Sequence, residues 1–585
     1  MVSFMLCGCQ TNPTQEEPWF QNIQGSLPLN EAEKIERVRN VAAMLQDDAS
    51  AMLPHDQGSR PVEIVFVTTS DGAQNQTVAM GRGPTLSEAL AQSVESIQQR
   101  GGTGSNAKWI KVDFVTTSEK HPHVINFRQA LALDCSLWGI AFGPNPRMAL
   151  LPDELIHRAL VDKTRHLDPD RIAAYLGQHT ERGQKFATLM EKDALLAYRF
   201  RTDGFFTDGD KVVHLFRGHR QFPSLSEELL LQSARAGGEY LTRATREDGQ
   251  FDYIYIAGKD KIPDDYNIIR HAGATYSMLE LYELTKDKKL LDAARRALQY
   301  MRDRIKPVGF EGQKGTILPS GNAIALGANG LGVLAFAQYV RATGDKDLLP
   351  VARDLARWIT STQAENGHFT IHKAFLPSGK LAAFQSIYYP GEAILGLTRL
   401  YEVDRQKKWL DAAERGAHYQ VKIKQHKPAE MLFHDHWVLY ALYETYRRRS
   451  HSGLLSHSRR LASAMVRKQN RKPQVPDWLG SYYRPPRSTP TATRSEGLGA
   501  AFKLERDFGN AELARIFRNN IELGIRFQLQ TQYTPECAIH LPDPAKAMGG
   551  FRRSLTRSEI RIDYVQHNLS SLIAYINILR HEQSR

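Results

Sequence analysis

No run of eighteen consecutive apolar residues occurs in the 585-residue chain, so the sequence offers no membrane-spanning helix. Cysteine is scarce. Cys7, Cys9, Cys135 and Cys537 are too few to staple a chain of this length. No zinc-finger spacing, phosphate-binding loop or RNA-binding signature is present, which removes the usual grounds for a nucleic-acid partner. Acidic residues are the minority, 64 against 76 Lys and Arg, leaving a net charge of +12. That surplus favours an acidic partner, but charge alone does not separate an anionic polysaccharide from a lipid headgroup. The remaining composition, 42% hydrophobic and 24% charged, is that of an ordinary globular protein, and the length favours more than one domain.

Three textures follow one another along the chain, and together they predict an α+β protein. Residues 1–60 form a polar tail with one helix, Glu31 to Leu45. The opening Met5-Leu6-Cys7-Gly8-Cys9 resembles a bacterial lipobox with Cys9 as the lipidated residue, although no basic stretch precedes it and the apolar run is short. The resemblance implies a lipid anchor and a cell-envelope location; without it the expectation is a cytoplasmic protein with a frayed terminus. Residues 61–220 mix strands with helices. Strands are expected at Val62–Val67, Val78–Gly81, Trp109–Val115, Leu131–Phe142, Met148–Leu151 and Val212–Phe216, with a Thr85-capped helix to Gln99. The order strand, Gly81-Arg82-Gly83, helix, strand resembles the AMMECR-type domain over about 80 residues, and implies a compact α/β domain with no transferable activity.

From residue 221 to the end, strand character gives way to an alternation of two helix types. Amphipathic helices are expected from near Ser226, Lys288, Asp347, Lys407, Gly453 and Asn510. Between them lie segments that are apolar all round and rich in small residues, from near Asn267, Asn322, Tyr389, Phe433, Arg494 and Asp563. Glycine inside a helix costs up to about 1 kcal/mol, so runs such as Gly327-Ala328-Asn329-Gly330 need crowded packing to justify them. Turns with glycine and an aromatic residue follow three outer helices: Asp248-Gly249-Gln250-Phe251, Asn366-Gly367-His368-Phe369 and Gly549-Gly550-Phe551. These features resemble the six-hairpin glycosidases and related lyases and sugar epimerases. The resemblance implies an (α/α)6 toroid over 221–585 that acts on a poly- or oligosaccharide.

Polar and aromatic residues gather at the start of each inner helix. An inner helix has no solvent face, so charge at its entrance must be paired or face a shared cavity. The residues in question are Tyr266, Asn267, Arg270 and His271; Tyr388, Tyr389 and Glu392; His434, Asp435, His436 and Trp437; Arg494 and Glu496; and Arg561, Asp563, Tyr564 and His567. Taken singly, most have a bland role as caps, ion-pair partners or core histidines. Their recurrence at five of six entrances is what points to a site. The carboxylates Glu392, Glu496, Asp435 and Asp563 are the catalytic candidates for glycoside hydrolysis, which needs two carboxylates flanking a bond; Glu392 with Glu496 is the preferred pair. Hydrolysis is the leading reading; the Tyr, His and Arg residues suit substrate binding, and as the runner-up they also fit epimerisation or elimination at a uronic acid. A non-catalytic glycan-binding protein is the third reading. No cofactor is called for. His434 and His436, spaced i and i+2, point to different sides of a helix, so no metal site is assigned.

Overall fold

A computed structural model describes residues 20, 23, 27, 29–48, 50–56, 60–100, 107–121, 133–142, 148–162, 166–177, 197–310 and 313–584. The stretch around Cys9 that resembles a lipobox lies outside them. The chain divides into two compact units, Met1–Gly218 and His219–Arg585.

The first unit is built on one antiparallel sheet. Its strands are β1 (Glu63–Ser70), β2 (Gln76–Gly83), β3 (Trp109–Lys120), β4 (Gly139–Phe142), β5 (Ala149–Leu150), β6 (Ala197–Thr207) and β7 (Val212–Leu215). They pair in the order β2-β1-β3-β6-β4-β5, with β7 also on β6. Helix α1 (Glu31–Leu45) begins at Asn30, whose side chain accepts from Glu33 N–H while Glu33 reaches back to the Asn30 amide. Helix α2 (Leu86–Gln99) is capped by Thr85. Both pack apolar faces over Val65, Val67, Val112 and Phe205 of the sheet. The long central strand β6 escapes prediction because Arg199, Arg201 and Asp203 interrupt its apolar residues. Its burial comes from pairing on both edges. Lys111 of β3 is likewise buried, held between Asp113 at 2.6 Å and Asp153 at 2.7 Å.

The second unit is an (α/α)6 toroid. The outer helices are α3 (Glu227–Ala244), α5 (Lys288–Arg302), α7 (Leu349–Ser361), α9 (Lys407–Lys422), α11 (Ser452–Lys468) and α13 (Ala511–Gln530). The inner helices are α4 (Ile268–Thr285), α6 (Leu326–Thr343), α8 (Tyr389–Asp404), α10 (His436–Tyr446), α12 (Ser488–Phe508) and α14 (Ile562–Gln583). Each inner helix packs on the next, and α14 returns to pack on α4, which closes the ring. Inner helices are buried almost all round: Leu326 through Val340 and Ile562 through Ile576 lie without a break in the interior. Outer helices alternate, which is why only they show a clear amphipathic stripe.

The glycines have two jobs in this ring. In the turns, Gly249 and Gly549 sit at φ of 83° and 80°, and a Cβ on either would fall 2.1 Å from a carbonyl oxygen of another outer helix, Arg296 or Ala236. Ala236 belongs to α3, so the last turn docks on the first outer helix. Inside the ring, a Cβ on Gly391 would lie 2.7 Å from Val438 N and 2.8 Å from Trp437 C, so α8 and α10 meet backbone to backbone there. Gly391→Ala is expected to destabilise the toroid by about 1–3 kcal/mol in urea unfolding. Gly499→Ala, whose new methyl meets only Ala574 Cβ at 3.4 Å, should be neutral or stabilise by up to about 1 kcal/mol. Equal effects at both positions would refute the close-approach explanation.

Two boundaries differ from expectation. The fifth inner helix starts at Ser488, before Arg494, so the loop expected from its five prolines over Pro473–Thr491 ends earlier, Arg494 stands in the second turn and Glu496 begins the third. Pro490 is tolerated there because first-turn amides have no intrahelical acceptor. The second inner helix starts at Leu326 rather than Asn322, after a short strand pair, Pro319–Ser320 with Ala323–Ala325.

Candidate active site at the mouth of the toroid

The N-terminal ends of the inner helices surround a cavity of about 550 Å³. Of the residues expected at the mouth, Asn267, Arg270, Tyr388, Tyr389, Glu392, His436, Trp437, Arg494, Arg561, Asp563, Tyr564 and His567 line it. Six N-termini converging on one space bias it towards anions.

Glu392 stands in the first turn of α8, 5% exposed. Its Oε2 has no hydrogen-bond partner among the described residues. Burial pushes its carboxyl up to about 8, the charge of Asp435 adds to that, and Arg270 opposes it. The group therefore carries its proton at neutral pH and presents an acid to the cavity. Asp563 is its opposite. In the first turn of α14 it accepts from Arg270 Nε at 3.0 Å and from an Arg561 terminal nitrogen at 2.9 Å, so it is paired with two guanidinium groups. Arg561 ends a strand (Arg557–Arg561) that pairs with Arg552–Ser554 and Ile254–Ile256, and this small sheet also brings Arg553 to the cavity wall.

The other two carboxylates stand back. Asp435 caps α10, its Oδ1 accepting from Val438 N–H at 3.2 Å, and is not among the lining residues. Burial raises it to about 6, against the pull of Lys424. Glu496 is 1% exposed and also absent from the lining; its Oε1 meets His567 Nδ1 at 2.8 Å, and its Oε2 accepts from Tyr440 OH at 3.3 Å. The expectation that Glu392 and Glu496 face each other across open space is corrected accordingly. The reason is helix start: with α12 beginning at Ser488, Glu496 is two turns inside, and His567 stands between it and the cavity.

Arg494 is 8% exposed and lines the cavity, yet no carboxylate accepts from it among the described residues. Its three bonds go to neutral acceptors: His434 Nδ1 at 2.9 Å, Pro490 O at 2.8 Å and Tyr483 OH at 3.1 Å. Its guanidinium also lies over the rings of Tyr482 and Tyr483. His434 is thus a prop for Arg494 and not part of the lining; burial and then the Arg494 charge bring it down to about 4.

Tyr266 and His271, expected to bind substrate, are turned away from the cavity and build structure instead. His271 Nε2–H donates to Ala297 O at 2.9 Å, which leaves Nδ1 to accept from the Tyr266 hydroxyl. Burial holds the ring neutral, near 3. This bond ties α4 to α5. Asn267 lines the cavity but its side chain caps α4, accepting from Ile269 and Arg270 amides at 3.0 and 3.1 Å. Tyr483, Arg487, Arg553 and Gln566 also line the mouth and were missed. The first two lie in the proline-rich loop and Arg553 in the short strand Arg552–Ser554, where no helix periodicity marks them.

No family model and no curated protein matches this sequence. Solved structures similar to it include an alpha-1,6-mannanase of Salegentibacter sp. HEL1_6 (11% identity, 59% of this chain and 98% of that chain, TM-score 0.42). Another is an unsaturated glucuronyl hydrolase specific for heparin (13% identity, 61% and 99%, TM-score 0.43). A third is a D-mannose isomerase (12% identity, 60% and 97%, TM-score 0.46). At these identities and TM-scores the likenesses assign no activity, and the closed ring rests on this chain's own helix contacts.

Proposed function

We propose that the second unit is a carbohydrate-active enzyme that binds an acidic sugar at the mouth and transfers a proton at the carbon beside its carboxylate, as epimerases and polysaccharide lyases do. The observation that carries this reading is Arg494, a buried cation on the cavity wall with no carboxylate partner among the described residues. A uronate carboxylate supplies the missing charge, and pairing it with guanidinium makes the neighbouring C–H more acidic. Glu392, protonated at neutral pH, is the acid that donates to a leaving oxygen or to the opposite face of the carbanion. The flat faces of Tyr388, Tyr389, Trp437 and Tyr564 suit a sugar ring.

Glycoside hydrolysis is the second reading, favoured by two carboxylates in contrasting surroundings on one cavity, Glu392 with an unpartnered oxygen and Asp563 paired with two arginines. It ranks lower because Asp563 is already held by two arginines. Incubation with uronate polymers in D2O separates the readings. An ultraviolet-absorbing unsaturated product marks elimination, and deuterium uptake without cleavage marks epimerisation. Reducing ends from neutral glycans, with neither signal on uronates, would sink the proposal in favour of hydrolysis. Arg494→Gln is expected to raise KM for the uronate substrate by about ten- to a hundredfold while leaving its methyl ester little affected, the size of a lost charged hydrogen bond. Equal losses on acid and ester would remove Arg494 as the carboxylate contact.

A further inference from the structure

We propose that His436, Glu496 and His567 form a binding site for one divalent first-row transition metal at the floor of the cavity. The three come from neighbouring inner helices α10, α12 and α14, and one ligand atom from each lies within 4.8 Å of the others. All are buried, at 2%, 1% and 9% exposure. The independent sign is His436. Both its ring nitrogens are buried and neither has a hydrogen-bond partner among the described residues, a costly state for a polar ring unless something binds it.

The chemistry of the set fits. His436 offers either of its two buried, unpartnered ring nitrogens as a ligand. Its ring stands edge-on to His567, centroids 5.0 Å apart, and His567 Nδ1 lies 2.8 Å from Glu496 Oε1, close enough for both atoms to share one ion. Tyr440 OH donates to the other Glu496 oxygen at 3.3 Å, the kind of outer hydrogen bond that orients a ligating carboxylate. Two imidazoles and one carboxylate suit Zn²⁺, Fe²⁺ or Mn²⁺. Three protein ligands leave a coordination position open, and His436 and His567 both face the cavity, so an oxygen of water or sugar can take it.

This inference goes beyond the reaction proposed above and fails separately from it. The full-length protein, stripped with chelator and dialysed, is titrated with Zn²⁺ by calorimetry and with Co²⁺ by visible absorption. One equivalent per chain is expected, with ligand-field bands from bound Co²⁺. His436→Gln and Glu496→Gln should each weaken binding more than about tenfold. His457→Gln should not, although His457 is also buried with both ring nitrogens unpartnered, because it stands outside the cluster. Circular dichroism confirms that each variant is folded, and His567→Gln replaces any that is not. Absence of stoichiometric binding, or unchanged binding in the folded variants, overturns the site. Wild-type protein that turns over uronates but binds no stoichiometric metal rejects the metal alone; stoichiometric binding with no uronate turnover rejects the proposed reaction alone.

Discussion

Replacing Glu392 with Gln is expected to lower kcat by about 10²- to 10⁴-fold with little change in KM, the usual worth of a positioned general acid. The carboxyl is raised from 4.5 to about 8, first by burial and next by the negative charge of Asp435. The donor is therefore present below pH 8 and lost as the pH rises through it, so wild-type activity should show a basic limb centred near 8. The Gln variant, which has no proton to lose, should keep its residual activity flat across that range. The same shift acts on stability with a definite sign. Between about 4.5 and 8 the native state holds a proton that the unfolded chain has released, so wild type loses stability as pH rises through this window. Glu392→Gln is free of that loss, and its unfolding midpoint should gain on wild type between pH 5 and 8, as followed in urea. An unchanged kcat, or a basic limb that survives in the variant, would remove Glu392 from the chemistry.

The second large effect is expected at the other end of the inner helices, where Glu444→Ala should cost about 3–5 kcal/mol at pH 7. Glu444 is 4% exposed and gathers Arg399 at 2.9 Å, Arg447 at 2.6 Å and Arg448 at 2.5 Å. Its removal leaves Arg399, on the neighbouring helix α8, buried and without its Glu444 partner, with Glu402 at 3.2 Å the salt bridge that remains to it among the described residues. Burial works against the Glu444 charge, but the three arginines prevail and bring the carboxyl down to about 2. A lowered acid stabilises the fold above its unfolded value of 4.5, and that contribution disappears as pH falls towards 2. The difference between wild type and Glu444→Ala should therefore narrow on acidification across that window. The double replacement Arg399→Met with Glu444→Leu should recover much of the loss, because a buried ion pair can be exchanged for apolar packing more cheaply than it can be broken. A single-variant cost below about 1 kcal/mol would show that the cluster is solvated like a surface pair.

Helix type was legible in the sequence because it depends on local periodicity. The outer helices carry charge on one face, and the inner ones are apolar all round, so the alternation could be read directly and six pairs counted. The Gly-aromatic turns were legible too, since positive φ and a carbonyl at Cβ distance leave little choice but glycine. Strand β6 was not, because its charged residues broke the alternation and only pairing on both edges keeps it in the sheet. At the mouth, residue types alone sufficed to list most of the lining. They did not rank it. Whether Glu496 reaches the cavity depends on where α12 begins, and whether His271 is a ligand or a strut depends on Ala297 of another helix.

The sequence by itself determined that the C-terminal part is a set of six paired helices, with chemistry-bearing residues at the entrances of the inner ones, because hydrophobic period and composition are local properties. Only the tertiary structure decided that the ring closes, that Glu392 is buried beside another acid, that Arg494 lacks a carboxylate partner among the described residues, and that His436 meets Glu496 and His567. Each of these depends on the distance between residues of different helices, and the electrostatic cost of burying a charge is set by that distance and by the exclusion of water, neither of which sequence spacing encodes.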